Sequence, residues 1–278
     1  MKKTLFILVC FICQFMRCQR NAGDFAVINV GLQGMVSGVG AVLNKTEQDK
    51  LGRTFLKGFL GGCAAGTFMY SGKLLIGNIS KESNLLYAWP GKITYWAGNS
   101  IAENAALNRP LFDQYNVNIG IFRLEYKISL SDFKVKVLPL TSIITVYIAT
   151  QSKFEFEKSL ATGELIFSSS KFNLNTEFRG FALGNIVVLQ SKNSDSYSTI
   201  SHEIIHIAQN NDFNFVNTWI NPILNRNSFF KKTSPFIYYE FNTILNQGLY
   251  WTQYKDYPNY YRNIFESEAA TFSHTFRD

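Results

Sequence analysis

The hydrophobic and polar positions of this chain follow three successive patterns, and each pattern predicts a different kind of element. Residues 24–110 are apolar and rich in glycine, and their spacing predicts three helices, over 26–43, 52–79 and 90–108. Residues 115–190 change to short alternating or β-branched segments, which predict strands. Residues 195–278 return to a helical period with many Asn, Phe and Tyr residues. This order of regions predicts an α+β fold.

The strand candidates lie close together and are joined by short links with turn residues. They cover 117–126, 143–148, 154–157, 164–167 and 184–190. Several short strands of this kind favour an antiparallel sheet. We therefore expect a sheet within 115–190, between a helical N-terminal part and a second group of helices.

Glycines recur every four residues in the second helical segment, at Gly58, Gly62 and Gly66. Small residues at this interval lie on one helix face and let two helix backbones approach closely. The pattern is typical of a tightly packed helical hairpin in a soluble domain. It is also compatible with membrane association through residues 52–79, and the sequence leaves both interpretations open.

The first 18 residues have the pattern of a secretory signal. Lys2 and Lys3 precede an uncharged apolar stretch over 4–16, which is shorter than the ~20 residues that span a bilayer. We expect residues 1–18 to direct export, so that the protein works in the periplasm, in the cell envelope or as a secreted protein. The remaining chain is expected to divide into a helical region, 19–112, and a domain over 113–278.

Removal of this segment changes the charge and the cysteine content. The 27 basic residues become 24 against 20 acidic ones, so the net charge falls from +7 to +4. Cys63 is then the one cysteine left, which excludes an internal disulfide. A modest charge and the absence of a basic run interleaved with aromatics argue against nucleic acid as a partner.

Residues 202–206 read His-Glu-Ile-Ile-His, and this is the motif that carries chemistry. On a helix, which we expect over 197–209, His202 and His206 lie on one face and can bind one Zn²⁺ ion. Zinc lowers the pKa of a bound water toward ~7, and Glu203 is placed to accept the proton of that water. The motif therefore predicts a hydrolytic zinc site with Glu203 as the general base.

A zinc site of this kind needs a third protein ligand, and three residues compete for the position. Glu268 is followed by Ala269, whose small side chain lets a helix lie close to the motif. Asp212 follows His202 at the metzincin spacing, but Gln209 stands where that pattern needs glycine for a turn. His274 is the third histidine of the chain.

Residues 184–270 resemble a zinc metallopeptidase of the gluzincin class, which includes thermolysin. The matching segments are the motif at 202–206, the preceding strand at 184–190, and Glu-Ser-Glu-Ala-Ala at 266–270. The motif and its surroundings are similar to small exported bacterial forms. The resemblance covers less than a third of the chain, and residues 24–115 match no family that we recognise.

The resemblance implies roles for several residues. In that class a glutamate followed by alanine on a downstream helix is the third ligand, which corresponds to Glu268. The strand at 184–190 would be the sheet edge that aligns a peptide substrate. A Tyr or His after the motif would stabilise the oxyanion, and His274 is the first candidate. The tyrosines in the same region are Tyr238, Tyr239, Tyr250, Tyr254, Tyr260 and Tyr261.

Together these features predict an exported zinc metallohydrolase, and the resemblance favours a peptidase acting on a peptide or protein. The alternative is an envelope-associated protein that acts through its glycine-rich helices and carries a structural or vestigial zinc site. An open coordination position separates the two, because a catalytic zinc keeps it and a structural zinc does not.

Overall fold

A computed structural model describes residues 21–171, 179–256 and 263–275. The predicted signal at 1–18 lies outside these ranges. The helices are α1 (Ala22–Leu43), α2 (Leu51–Lys81), α3 (Ala88–Ala106), α4 (Pro139–Ala149), α5 (Phe156–Thr162), α6 (Tyr197–Asp212), α7 (Phe215–Leu224), α8 (Ser228–Thr233), α9 (Phe241–Asp256) and α10 (Ile264–Ser273). The strands are β1 (Gln114–Ile119), β2 (Phe122–Lys127), β3 (Asp132–Val137), β4 (Lys153–Phe154), β5 (Leu165–Ser169), β6 (Gly180–Leu183) and β7 (Ile186–Gln190).

The three predicted N-terminal helices are confirmed as α1, α2 and α3, and Gly58, Gly62 and Gly66 of α2 face α1. A β-carbon added to Gly66 would lie 2.6 Å from the carbonyl oxygen of Asn29, and one added to Gly58 would lie 2.8 Å from that of Ser37. Backbone therefore packs against backbone, and only glycine fits at these positions.

Within the described ranges α1 alone is long and apolar enough to cross a membrane, and 44% of its apolar window is buried in the protein.

The strands form two sheets, which confirms the α+β class and an antiparallel sheet. Strands β1, β2 and β3 pair antiparallel in that order. The second sheet has the order β4-β5-β7-β6 and is mixed, because β5 and β7 run parallel. The candidate strand at 117–126 is instead a hairpin, since Gly120 takes a φ of +55° and turns the chain between β1 and β2.

The candidate strand at 143–148 is wrong, because these residues form most of α4. Pro139 occupies the first turn of this helix, where its missing N–H costs nothing. Ile144 and Ile148 then face the second sheet and join the cluster around Phe167 and Val188. Packing against the sheet thus overrides the strand preference of the β-branched residues. The candidate strand at 154–157 is likewise reduced to β4, and the chain continues as α5.

The main core lies between the N-terminal helices, the second sheet and α6. Phe25, Ile76 and Ile79 contribute to it from α1 and α2, and Ile204 and Ile205 from α6. Residues from both sides of position 112 therefore share one core, while the division into 19–112 and 113–278 stays a prediction. This arrangement places α6 against α2 along one face and against β6 along another.

Candidate metal centre

Helix α6 carries the motif and is capped at its N-terminus. The Ser196 hydroxyl accepts a hydrogen bond from the backbone N–H of Thr199 and caps the first turn. Ile200 and Ile204 bury one stripe of the helix in the core. The helix runs three residues beyond the predicted end at 209. This stripe turns His202 and His206 toward α10.

Two histidines of α6 and one glutamate of α10 converge at the centre of the candidate site. His202 Nε2 and His206 Nε2 lie 3.1 Å apart, and Glu266 Oε2 lies 3.1 Å from the first and 3.3 Å from the second. Ligands around a tetrahedral zinc with bonds of ~2.0–2.1 Å are separated by about 3.3 Å. Two imidazole nitrogens and a carboxylate oxygen also suit Zn²⁺ chemically. Among the described residues this is the one group of three such side chains that could hold a metal ion.

Glu266 therefore lies at the third corner of this group, and the position of Glu268 does not support its expected role as the third ligand. Successive residues on an α-helix are ~100° apart, so Glu266 and Glu268 point to different sides of α10. Glu268 accepts hydrogen bonds from Lys73 Nζ at 2.9 Å and Gln209 Nε2 at 2.8 Å. Burial would raise the pKa of Glu268, but Lys73 lowers it below its usual value. Glu268 is thus an ion-pair residue behind the centre.

The other two candidates for the third position also lie elsewhere. Asp212 pairs with Lys73 at 2.5 Å and accepts a hydrogen bond from the Tyr95 hydroxyl at 2.9 Å. His274 ends α10 in the left-handed conformation, with φ +54°, and its ring is exposed. It lies outside the three-ligand cluster and does not line the adjoining cleft. The expectations for His274 as a ligand or as the oxyanion stabiliser are therefore not supported by its position.

Hydrogen bonds on the far side of each ligand fix its orientation. His202 Nδ1 lies 3.2 Å from Thr275 Oγ1, and His206 Nδ1 lies 2.7 Å from Gln209 Oε1. The Tyr250 hydroxyl donates to Glu266 Oε1 at 2.6 Å, which leaves Oε2 to face the histidines. Such partners hold metal ligands in a single orientation.

Glu203, the predicted general base, lies beside the centre with 5% of its surface exposed. Its Oε2 is buried and has no hydrogen-bond partner among the described residues. A β-carbon on Gly180 would lie only 3.2 Å from Glu203 Oε1, so the bare backbone of β6 makes room for the carboxylate. Burial, helped by the charge of Glu266, raises the pKa of Glu203 to about 8. A carboxyl group in this state is suited to exchanging protons near neutral pH.

The charges of the three ligand residues are strongly coupled. Burial alone would lower the pKa of both histidines, and it does so for His202. The Glu266 carboxylate overcomes burial at His206 and raises its pKa to about 9. In return His206 holds the pKa of Glu266 well below its ordinary value of 4.5. The metal-free centre therefore stabilises one positive charge, which a bound cation can replace.

A cleft of about 400 Å³ opens on this centre. Strand β6 forms one wall and α9 the opposite one. The residues around it are Gly180, Phe181, Ala182, Leu183, Gly184, Glu203, His206, Gln209, Asn210, Asn246, Gln247, Tyr250, Trp251, Phe265 and Glu266. The predicted edge strand at 184–190 is in fact internal, because β7 lies between β5 and β6. The strand that borders the cleft is β6, the last strand of that sheet.

The sequence analysis did not predict three features of the centre: the position of Glu266 beside the histidines, the contact of Tyr250 with Glu266, and the close approach of Gly180 to Glu203. One signal for the first was available. Lys73 lies in an otherwise apolar helix, and a buried lysine needs buried carboxylates. That need indicates that one of the two glutamates pairs with Lys73 and leaves the other for the histidines, and the structure identifies the paired one as Glu268.

Comparisons with known proteins add no family to this geometry: no family model, curated protein or solved structure matches the chain.

Proposed function

We propose that this protein is a zinc-dependent hydrolase of the zincin type that cleaves peptide bonds. His202, His206 and Glu266 bind the metal, and Glu203 is the general base. The observation that carries the proposal is the triangle of ligand atoms, with edges of 3.1–3.3 Å, beside a buried carboxylate that has an unsatisfied oxygen. A buried acceptor without a partner costs free energy of folding, so its presence calls for an explanation, and a catalytic role supplies one.

The reaction divides between the metal and the chain. Zinc held by His202, His206 and Glu266 would lower the pKa of a bound water and would polarise the substrate carbonyl. Glu203 accepts the proton of the attacking water and passes it to the amide nitrogen that leaves, so it ends the cycle as it began. The position of Glu203 suits this exchange, because its Oε2 is buried beside the ligand atoms and has no hydrogen-bond partner among the described residues. Glu266 and the histidines keep their orientation through the bonds described above.

The cleft supports a peptide as the substrate. Strand β6 is the edge of its sheet and borders the cleft along its length, so an extended peptide can pair with its backbone. Apolar side chains such as Phe181 and Trp251 line the space, and the charged groups there are those of the centre itself. Among the described tyrosines Tyr250 lines the cleft, and its hydroxyl, which donates to Glu266 Oε1, holds that carboxylate in place.

The cleft also favours catalysis over a structural zinc site. His206 and Glu266 both line it, so a substrate can reach the metal position. A structural site is closed by a fourth protein ligand, and the cluster contains three among the residues whose placement is described.

The decisive experiment compares Glu203→Gln and Glu266→Ala, with Glu164→Gln as a control. Glu164 is also a buried glutamate, but it pairs with Lys92 away from the cleft. We expect Glu203→Gln to bind stoichiometric Zn²⁺ and to lose hydrolysis of fluorescein-labelled casein. Glu266→Ala should lose both, and Glu164→Gln should keep both. Full activity of Glu203→Gln would refute the mechanism, and stoichiometric zinc in Glu266→Ala would refute the ligand assignment.

A further inference from the structure

The Gln209 amide joins the metal centre to a buried charge cluster that the proposed reaction does not use. The cluster consists of Lys73 from α2, Asn29 from α1, Asp212 from α6 and Glu268 from α10. Lys73 is fully buried, and the exposed fraction of the other three is below a tenth. Burying charged side chains costs desolvation free energy, so a cluster of this kind calls for a reason beyond packing.

We propose that Lys73 and Glu268 are positioning residues that fix the protonated nitrogen of His206 through Gln209, an inference that rests on the proposed function. The amide of Gln209 has an oxygen end and a nitrogen end, and its partners decide which faces where. Its Nε2 lies 2.8 Å from both the Phe265 carbonyl oxygen and Glu268 Oε2. Both of these atoms can only accept, so the nitrogen end must face them.

The orientation of the amide then determines the proton on the histidine. Gln209 Oε1 faces His206 Nδ1 at 2.7 Å and can only accept, so Nδ1 must carry a proton. In the neutral ring the lone pair is then on Nε2, the atom 3.1 Å from His202 Nε2 in the triangle of ligand atoms. With the amide reversed, the proton would move to Nε2 and oppose metal binding.

Glu268 can hold the amide because its own carboxylate is fixed by charge. Its Oε1 accepts from Lys73 Nζ at 2.9 Å and from Asn29 Nδ2 at 2.8 Å, which leaves Oε2 for Gln209. The remaining hydrogens of Lys73 go to Asp212 at 2.5 Å and to Asn29 Oδ1 at 2.9 Å. All three donors of the ammonium group are thus used, and the Glu268 carboxylate is held in place by Lys73 and Asn29.

This connection gives the glycine-rich helices a part in the proposed chemistry. Asn29 and Lys73 come from α1 and α2, and the close packing at Gly66 brings the backbone of Asn29 against α2. The N-terminal helices would therefore determine which ring nitrogen of His206 carries the proton, without contacting the metal or the substrate.

The test uses Glu268→Gln, with Glu164→Gln as the matched control. Both variants remove one charge from a buried glutamate–lysine pair, but only Glu268 contacts Gln209. An amide at 268 offers a donor on one side, so either Lys73 or Gln209 loses its acceptor. In competition with a chromophoric chelator, we expect Zn²⁺ affinity to fall about 10–100-fold in Glu268→Gln and to stay at the wild-type value in Glu164→Gln.

A second measurement separates positioning from general destabilisation. Nitrogen-15 NMR of the metal-free protein, at a pH where the His206 ring is neutral, reports which ring nitrogen carries the proton. Wild type and Glu164→Gln should show the proton on Nδ1, and Glu268→Gln should show a mixture. If Glu268→Gln does not fold, Gln209→Met removes the amide and leaves the ion pairs. This variant should show the same fall in Zn²⁺ affinity and the same mixture of protonated ring nitrogens.

The outcomes separate this inference from the proposed function. Unchanged Zn²⁺ affinity together with an unchanged proton on Nδ1 in the variant would overturn the positioning role. Wild-type protein that binds no Zn²⁺ would overturn the proposed function, and the NMR experiment would still decide the inference because it needs no metal.

Discussion

Replacement of Gly66 by alanine tests whether backbone contact between α1 and α2 is essential. The new methyl carbon would lie 2.6 Å from the Asn29 carbonyl oxygen and 2.7 Å from the Val30 Cα, both backbone atoms that cannot rotate away. Ordinary contacts are about 3.5–4.0 Å, so the helices must separate by about 1 Å. Overpacking of this kind costs about 1–3 kcal/mol, partly offset by the ~1 kcal/mol that alanine gains over glycine within a helix.

Gly31→Ala is the matched control. Gly31 lies inside α1, and a β-carbon there meets no atom within 4 Å. This variant should show the helix gain alone, so the two variants should differ by the overpacking cost of about 1–3 kcal/mol. For a chain of this size that corresponds to a difference of about 2–12 °C in Tm. Circular dichroism on heating and urea titration measure it. If Gly66→Ala stabilises the protein as much as Gly31→Ala does, the close packing is not a constraint.

Two further predictions concern acid stability and the general base. Burial would raise the pKa of Glu125, but Arg123 and Lys136 lower it to about 2 from its ordinary 4.5. This carboxylate therefore stabilises the folded protein above pH 4.5, by up to about 3 kcal/mol, and the contribution is lost as the pH falls toward 2. Urea titrations between pH of about 6 and about 3 should show a shallower loss in Glu125→Gln, and an equal slope would contradict the ion pairing. Gly180→Val should press on Glu203, which lies 3.2 Å from the added β-carbon, and lower hydrolysis about 10-fold or more with Zn²⁺ affinity unchanged. Unaltered hydrolysis would show that the carboxylate adjusts without loss.

The sequence predicted those elements whose pattern and packing agree. The motif helix α6 has an apolar stripe on one side and its histidines on another, so spacing alone identified it. The four-residue glycine interval identified close helix packing for a similar reason. The strand prediction for 143–148 was wrong. β-Branched residues favour a strand, whereas packing against the second sheet places these residues in a helix. No local pattern shows such a tertiary preference.

The residues of the candidate centre also fall into a predictable group and one that depends on tertiary packing. His202, Glu203 and His206 are linked by helix geometry and could be read from spacing. The third ligand depends on which side of α10 faces α6, and both Glu266 and Glu268 are buried. Only the distant Lys73 distinguishes them, because it neutralises one glutamate and leaves the other for the histidines.

The charge cluster behind His206 also limits how this chain can be divided or recombined. Lys73 and Asp212 are 139 residues apart in the sequence, yet they share one buried hydrogen bond. A fragment that begins at residue 113 would keep Asp212 and Glu268 but lose their cation, and an unpaired buried charge costs about 3–5 kcal/mol. The segment with the His-Glu-Ile-Ile-His motif is therefore not a portable module. Loss or exchange of the first helices would destabilise the second half as well, because Lys73 is the buried cation of Asp212 and Glu268.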